Sequence, residues 1–277
     1  MSSQLKGTDD RTIRAVIKQN GDGMAVYAVS DLHGQYDTFL NGLEKIGFGD
    51  SDELYMVGDA IDRGPDGIRI LQHIMDHDNM DLIIGNHEFM MLNAVDPNGL
   101  AVCNGPDAEL WLYYNGGSKT YDRYERLSDE KRKSLLMWLN RRYVIRTIDV
   151  EERKFCLAHS YYYPAYENKM YCEMEYGDIW ELVWTSVYRD GDTRGANIYR
   201  NYDMTFITGH VPVQKARYDK RLDDFNELKI LEDGNLIDID GGCALGYNHE
   251  LTNGALFLRL DDMKVFPVPV PPPLFMF

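Results

Sequence analysis

Gly58-Asp59-Ala60-Ile61-Asp62-Arg63-Gly64 decides how this chain is read. The apolar run before it, Leu54-Tyr55-Met56-Val57, has the length and character of a buried strand. Two carboxylates, a guanidinium and two glycines therefore leave a strand together at its C-terminal end, where open α/β sheets gather their ligands. The pattern recurs on either side. Ala25–Ser30 runs into Asp31-Leu32-His33-Gly34, and Leu82-Ile83-Ile84 runs into Gly85-Asn86-His87-Glu88. Three strands that each end in a loop of metal-ligating side chains form a constellation rather than an isolated motif.

Working outward, strand, loop and helix patterns alternate through residue 92, which points to an α/β sheet. Residues 12–18 alternate as a half-buried strand, Asn20–Gly23 supplies turn residues, and Met24–Ser30 returns as a hairpin partner. Phe39, Leu40, Leu43 and Ile46 fall at helical spacing, ended by Gly47 and Gly49. Pro65 opens a second helix, with Ile68, Leu71, Ile74 and Met75 on its apolar face. Ser128 caps a third, whose inward residues are Leu135, Leu136, Trp138 and Leu139. Further strands are expected at Tyr143–Val150, Lys154–Ala158, Thr205–Thr208, Leu236–Asp240 and Ala255–Leu260. Residues 160–205 are rich in tyrosine, poorly periodic and receive no assignment; the tyrosines either line a substrate rim or cover a sheet edge.

The side chains at these strand ends suit a two-metal centre. Asp31 and His33 point the same way from an extended segment. Asp59 leaves the neighbouring strand, and a carboxylate can bridge two cations. Asn86, His159 and His210 form a second set, the two histidines each following an apolar run. Oxygen and nitrogen donors without thiolate favour manganese, iron or zinc. A pair of such ions about 3.5–4 Å apart holds the attacking and leaving oxygens of an in-line displacement, with a bridging hydroxide as nucleophile. His87 is the expected general acid, Asp62 its hydrogen-bonding partner, and Arg63 a phosphate ligand, with Asn86 also near the phosphate. Taken singly, Asp-x-His reads as a turn and Asn-His-Glu as a helix cap; together they read as a phosphoesterase site. His73 and His77, four apart on a helix, read as solvent-facing, and His249 stays unassigned.

The chain has 277 residues, 44% hydrophobic and 27% charged, with a net charge of −16. That composition is globular, and the charge argues against a nucleic-acid polymer as partner. An anionic substrate stays compatible, because bound cations reverse the local field. Scattered cysteines, a polar start and the lack of a bilayer-spanning apolar run lead to the expectation of a cytoplasmic protein with no membrane partner.

Asp31-Leu-His-Gly, Gly58-Asp-Ala-Ile-Asp-Arg-Gly and Gly85-Asn-His-Glu resemble the signature motifs of the phosphoprotein phosphatase branch of the calcineurin-like metallophosphoesterases. The resemblance continues through Asn115-Gly-Gly, Ala158-His159, Gly209-His210 and Ile237-Asp-Ile-Asp-Gly-Gly. It implies a four-layer αββα sandwich of two mixed sheets flanked by helices. It also implies one metal on Asp31, His33 and Asp59 and another on Asp59, Asn86, His159 and His210, with manganese usual in bacterial members. His87 with Asp62 would be the acid dyad and Arg63 a phosphate ligand. The sequence departs from the family after Trp184, where Thr185 and Ser186 stand in place of a second phosphate-binding arginine. Arg189 is taken as its substitute, with Arg194 the alternative.

One domain is expected over 1–265, with a helical insertion at about 89–142, followed by a proline-rich tail, 266–277. The tail reads as polyproline II strapped onto its own domain. The expected function is a serine/threonine protein phosphatase of the bacterial or phage type. A symmetrical diadenosine tetraphosphatase shares the motifs, and an inactive interaction module is the reading from another class. Sequence leaves open the native metal, the physiological substrate and the oligomeric state.

Overall fold

Alternation along the first strand, β1 (Val26–Val29), sets the layering: Val26 and Ala28 join one buried cluster, Tyr27 and Val29 another. The computed structural model describes residues 24–99, 101–188 and 199–272. The expected strand at 12–18, the turn at 20–23, Arg189, Arg194 and Leu274–Phe277 lie outside the described residues.

β1 runs parallel to β2 (Glu53–Val57), and β2 to β3 (Met80–Ile83). Antiparallel β9 (Gly254–Arg259) and β10 (Lys264–Pro269) complete a five-stranded sheet in the order β10-β9-β1-β2-β3. The second sheet has the order β4-β5-β6-β8-β7, from β4 (Ile145–Val150), β5 (Arg153–Ala158), β6 (Thr205–Thr208), β7 (Leu231–Asp233) and β8 (Leu236–Asp238). Each sheet is mixed, and helices flank the pair. Val57, Ile83, Leu256 and Leu258 of the first sheet share a buried cluster with Phe155, Leu157, Ile207 and Ile237 of the second. Because β1, β2 and β3 are parallel, the loops at 31–34, 58–64 and 85–88 open at one edge. Parallel β5 and β6 bring His159 and His210 to meet them.

Helix α1 (Tyr36–Ile46) ends in a left-handed Gly47, whose N–H returns to the last carbonyls. Phe39 is buried as expected, but Leu40 is 38% exposed. Gly42 lies inward instead, so close to β9 that a Cβ there would fall 2.0 Å from the Phe257 ring. Helix α2 (Gly67–Met75) begins two residues beyond Pro65 and buries Ile68, Ile70, Leu71 and Ile74. Between β3 and β4 lie α3 (Asn86–Ala94), α4 (Pro106–Glu109) continued by a π-helical turn (Leu110–Tyr114), α5 (Ser118–Tyr124) and α6 (Asp129–Leu139). Ser128 Oγ accepts from the Lys131 N–H at 3.4 Å, capping α6.

The unassigned tyrosine-rich region contains a helix, α7 (Tyr176–Trp184). Ile179, Leu182 and Val183 are buried, while Tyr176, Trp180 and Trp184 stack along another side at 6.1 and 5.2 Å. The aromatic stripe beside the buried face leaves only Gly177, Asp178 and Glu181 as non-apolar positions and blurs the helical period. Tyr162 and Tyr199 cover the second sheet, packing on Phe206 at 5.0 and 4.3 Å.

The expected polyproline II tail is corrected by the pairing of β10. Residues 264–269 hydrogen-bond to β9, with Val268 opposite Ala255. β10 is an edge strand, where a missing N–H is tolerated if it faces away from the sheet. Pro267 and Pro269 occupy such alternate positions, and the Pro267 carbonyl accepts from Lys45 Nζ at 2.5 Å. Among the described residues no helix is long and apolar enough to cross a membrane.

Candidate active site

The loops after β1 and β2 are zipped together through their main chains. Asp31 N–H donates to the Gly58 carbonyl at 3.0 Å, and His33 and Gly34 N–H donate to Asp59 and Ala60, each at 2.9 Å. In this conformation Asp31, His33, Asp59, Asp62, Arg63 and His210 all take positive φ, between 43° and 76°. Left-handed backbone is costly for non-glycine residues and persists where surroundings over-determine it. Its concentration here marks a built site.

Most of the expected ligands come together. Asp59 Oδ2 lies 3.6 Å from His33 Nε2, 3.4 Å from His159 Nε2 and 3.8 Å from His87 Nε2. Asp31 Oδ1 is 3.9 Å from His33 Nε2, and Asp31 Oδ2 accepts from the His210 N–H at 3.0 Å. Asn86, the first residue of α3, places Oδ1 at 2.9 Å from His159 Nε2 and 3.0 Å from His210 Nδ1. Two donor triangles result, His33-Asp59-His87 and Asp59-His159-His210, sharing Asp59.

The donor chemistry fits divalent cations. His33 Nδ1 donates to the Ile61 carbonyl and His159 Nδ1 to the Val57 carbonyl, both at 3.0 Å. In its neutral form each ring turns an Nε2 lone pair inward. The His159 lone pair then faces another acceptor, Asn86 Oδ1, at 2.9 Å, an arrangement that a cation between them relieves. Asp31 Oδ1 is buried without a hydrogen-bond partner among the described residues. Burial pushes the Asp31 carboxyl up to about 7, against the pull of His159. Burial also opposes charge on Asp59, yet His159, His87 and His33 hold it well below the usual carboxylate range. His159 rises to about 10, the attraction of Asp59 outweighing burial, while burial and His159 lower His210 to about 3. Within one cluster the acids and imidazoles are driven in opposite directions by burial and by one another, and a bound cation would compensate the buried carboxylates.

His87 stands apart from the ligands in how it is held. Its Nδ1 lies 2.6 Å from Asp62 Oδ2, and both side chains are buried. Burial lowers the tendency of His87 to charge, but Asp59 and Asp62 outweigh it and raise its pKa. His87 Nε2 has no hydrogen-bond partner among the described residues. Arg63 is exposed beside the cluster, its guanidinium 3.3 Å from His33 Nε2.

Sequence reasoning passed over three supports. Glu88, read only as a cap, accepts N–H donors from Asp59 (2.9 Å), Ala60 (2.9 Å) and Gly85 (3.1 Å). It ties α3 to the loop after β2. Trp111 Nε1 donates to Asp62 at 2.9 and 3.2 Å, and Thr120 Oγ1 accepts from the Asp62 N–H at 2.9 Å. The signal for Glu88 was its place three residues after Gly85, the capping-box spacing. Elsewhere, His73 is half-buried, bonding to Tyr36 at 3.1 Å and stacking on exposed His77 at 4.4 Å.

Residues 24–239 match the calcineurin-like phosphoesterase family. The chain is 30% identical over 191 residues to serine/threonine-protein phosphatase 2 of Salmonella typhimurium, covering 68% of this chain and 80% of that one. It is also 30% identical over 146 residues to a symmetrical bis(5'-nucleosyl)-tetraphosphatase of Buchnera aphidicola, covering 52% of this chain. This chain spans about half, 47%, of that tetraphosphatase. A metallophosphoesterase from Sphaerobacter thermophilus shares the fold with a TM-score of 0.50 at 15% identity, covering 90% of this chain and 89% of its own. The chain belongs to the calcineurin-like phosphoesterase family. Its likeness to the Salmonella protein aligns it with the phosphoprotein phosphatase branch, and it is a metal-dependent phosphatase.

Proposed function

We propose that this chain is a cytoplasmic, manganese-dependent serine/threonine protein phosphatase with a dinuclear centre. The observation that carries the reading is the position of Asp59 Oδ2, shared by two donor triangles. Asp31, His33 and Asp59 would hold one ion, and Asp59, Asn86, His159 and His210 the other. When bound, such ions polarise the phosphoryl oxygens and lower the pKa of water.

The remaining work falls to side chains of this chain. Arg63 offers its planar fork to two phosphate oxygens at the rim, and Asn86 lies close enough to add its amide. Arg189 is retained as the second phosphate-binding arginine. As the oxygen of a hydroxide bonds to phosphorus and the phosphorus–oxygen bond to the substrate breaks, the electron pair of the broken bond passes to the serine or threonine oxygen, which takes the proton from His87 Nε2, leaving alcohol and inorganic phosphate. Asp62 holds Nδ1 and stabilises the charged ring beforehand.

Several features favour a protein substrate over a dinucleotide. Arg63 is exposed, and Tyr113 and Tyr114 stand 77% and 78% exposed on the turn that Gly116 ties to the Arg63 N–H. Of the rings that an adenine would stack on, Tyr162 is withdrawn, buried with its hydroxyl donating to Glu167, while Tyr161 and Tyr163 keep some exposure. The test is a substrate panel after metal removal and manganese readdition: p-nitrophenyl phosphate, a phosphoserine peptide and diadenosine tetraphosphate. Turnover of the peptide is expected. Rapid dinucleotide cleavage without peptide turnover would replace this reading with the tetraphosphatase.

A further inference from the structure

We infer that Trp111 is a positioning residue for the proton donor, the outer member of a Trp111–Asp62–His87 chain. The inference rests on the proposed phosphatase reading and deepens it. Asp62 is fully buried and no lysine or arginine pairs with it among the described residues; its carboxylate takes its side-chain hydrogen bonds from His87 Nδ1 at 2.6 Å and Trp111 Nε1 at 2.9 Å, with a second Trp111 contact at 3.2 Å. The indole can only donate. It therefore satisfies the carboxylate without competing for the His87 proton. Its flat ring also fixes which way the carboxylate plane turns.

The segment around Trp111 is shaped to hold that N–H in place. Leu110–Tyr114 is a π-helical turn, a widening of the helix that occurs mostly at functional sites. Asn115 Nδ2 donates to the Leu110 carbonyl at 2.9 Å, closing the turn. The Gly117 N–H donates to the Trp111 carbonyl at 2.9 Å. Gly117 itself has an ordinary helical φ of −68°, so its backbone does not demand glycine. Space does: a Cβ there would lie 2.5 Å from Trp111 Nε1 and 2.7 Å from the Trp111 carbonyl oxygen. Gly116 meanwhile ties the same turn to Arg63, its carbonyl accepting the Arg63 N–H at 3.2 Å. Asn115-Gly116-Gly117 thus has a physical role: it seats the indole against Asp62.

The test uses full-length protein with manganese and two substrates, p-nitrophenyl phosphate, whose leaving group departs without help, and a phosphoserine peptide, whose alkoxide needs a proton. Trp111→Phe keeps the ring and removes the donor. Its kcat should fall about 10- to 100-fold on the peptide and no more than about threefold on the aryl ester, within the range general acid catalysis supplies. KM and bound manganese should match wild type. Trp111→His, which restores a ring N–H, should recover part of the peptide activity. Gly117→Ala, which leaves the indole but displaces it, should shift the ratio of the two activities the same way, and it stands as the second variant if Trp111→Phe folds poorly. Equal losses on both substrates, or none, in the folded variants would overturn the inference. Wild-type protein that hydrolyses neither ester would overturn the phosphatase reading, and the inference with it.

Discussion

On the proposed ligand side of the site, His33 and His159 are anchored to main-chain carbonyls of the loop and strand beside them, each at 3.0 Å. On the proton side, His87 is anchored through one side chain, Asp62, which is itself held by an indole and a threonine from the insertion. The first arrangement inherits its precision from a parallel sheet, because backbone that is already hydrogen-bonded cannot drift. The second depends on a helical segment that reaches Asp62 through side-chain bonds from Trp111 and Thr120 and meets the loop through one main-chain bond, Gly116 to Arg63. Ligand geometry should therefore survive changes that uncouple proton delivery.

Asp59→Asn gives the largest expected effect, since it removes the carboxylate common to both triangles. Loss of several kcal/mol of transition-state stabilisation is expected, roughly a thousandfold in kcat, together with weakened manganese binding by elemental analysis. An Asn variant with normal metal content and near-normal rate would remove the distinction between the two sides. His87→Asn should lower peptide turnover about 100-fold or more while keeping its metal. Metal loss from that variant would place His87 among the ligands, as the His33-Asp59-His87 triangle allows.

Glu88→Gln should act on both sides at once, because an amide N–H₂ would oppose the N–H groups of Asp59 and Gly85. A loss of about 1–3 kcal/mol in denaturant unfolding is expected. Manganese affinity should drop about 10- to 100-fold, as for other outer-shell partners of metal ligands. Unchanged affinity would show that the loop after β2 holds itself. Gly42→Ala, far from either side, should cost about 1–3 kcal/mol through its collision with Phe257 and leave kcat unaltered. A fall in kcat there would mean that the α1 packing reaches the site.

The convergence of the proposed ligands was legible in the sequence because these residues sit at strand ends, where apolar runs stop and short motifs begin. Asp31, His33, Asp59, Asn86, His159 and His210 share that grammar. The proton side was half legible: His87 and Asp62 stood inside motifs, but Trp111 is a lone aromatic in a weakly patterned stretch, and nothing local shows which carboxylate it meets. Helix α7 was lost for another reason, since Tyr176, Trp180 and Trp184 add a second apolar stripe beside Ile179, Leu182 and Val183 and blur the period. Leu40 and Gly42 show the limit of spacing arguments. A glycine carries no hydrophobic signal, yet it occupies the inward position where Phe257 leaves no room for more. The prolines of β10 suggested an unpaired tail because composition cannot reveal that their missing donors face away from the sheet.

Anomalous diffraction from crystals grown with manganese tests the central claim most directly. Two peaks are predicted on either side of Asp59 Oδ2, one contacting Asp31 and His33, the other Asn86, His159 and His210. Peaks absent from this cluster, or a single ion that leaves Asp59 unshared, would contradict the account.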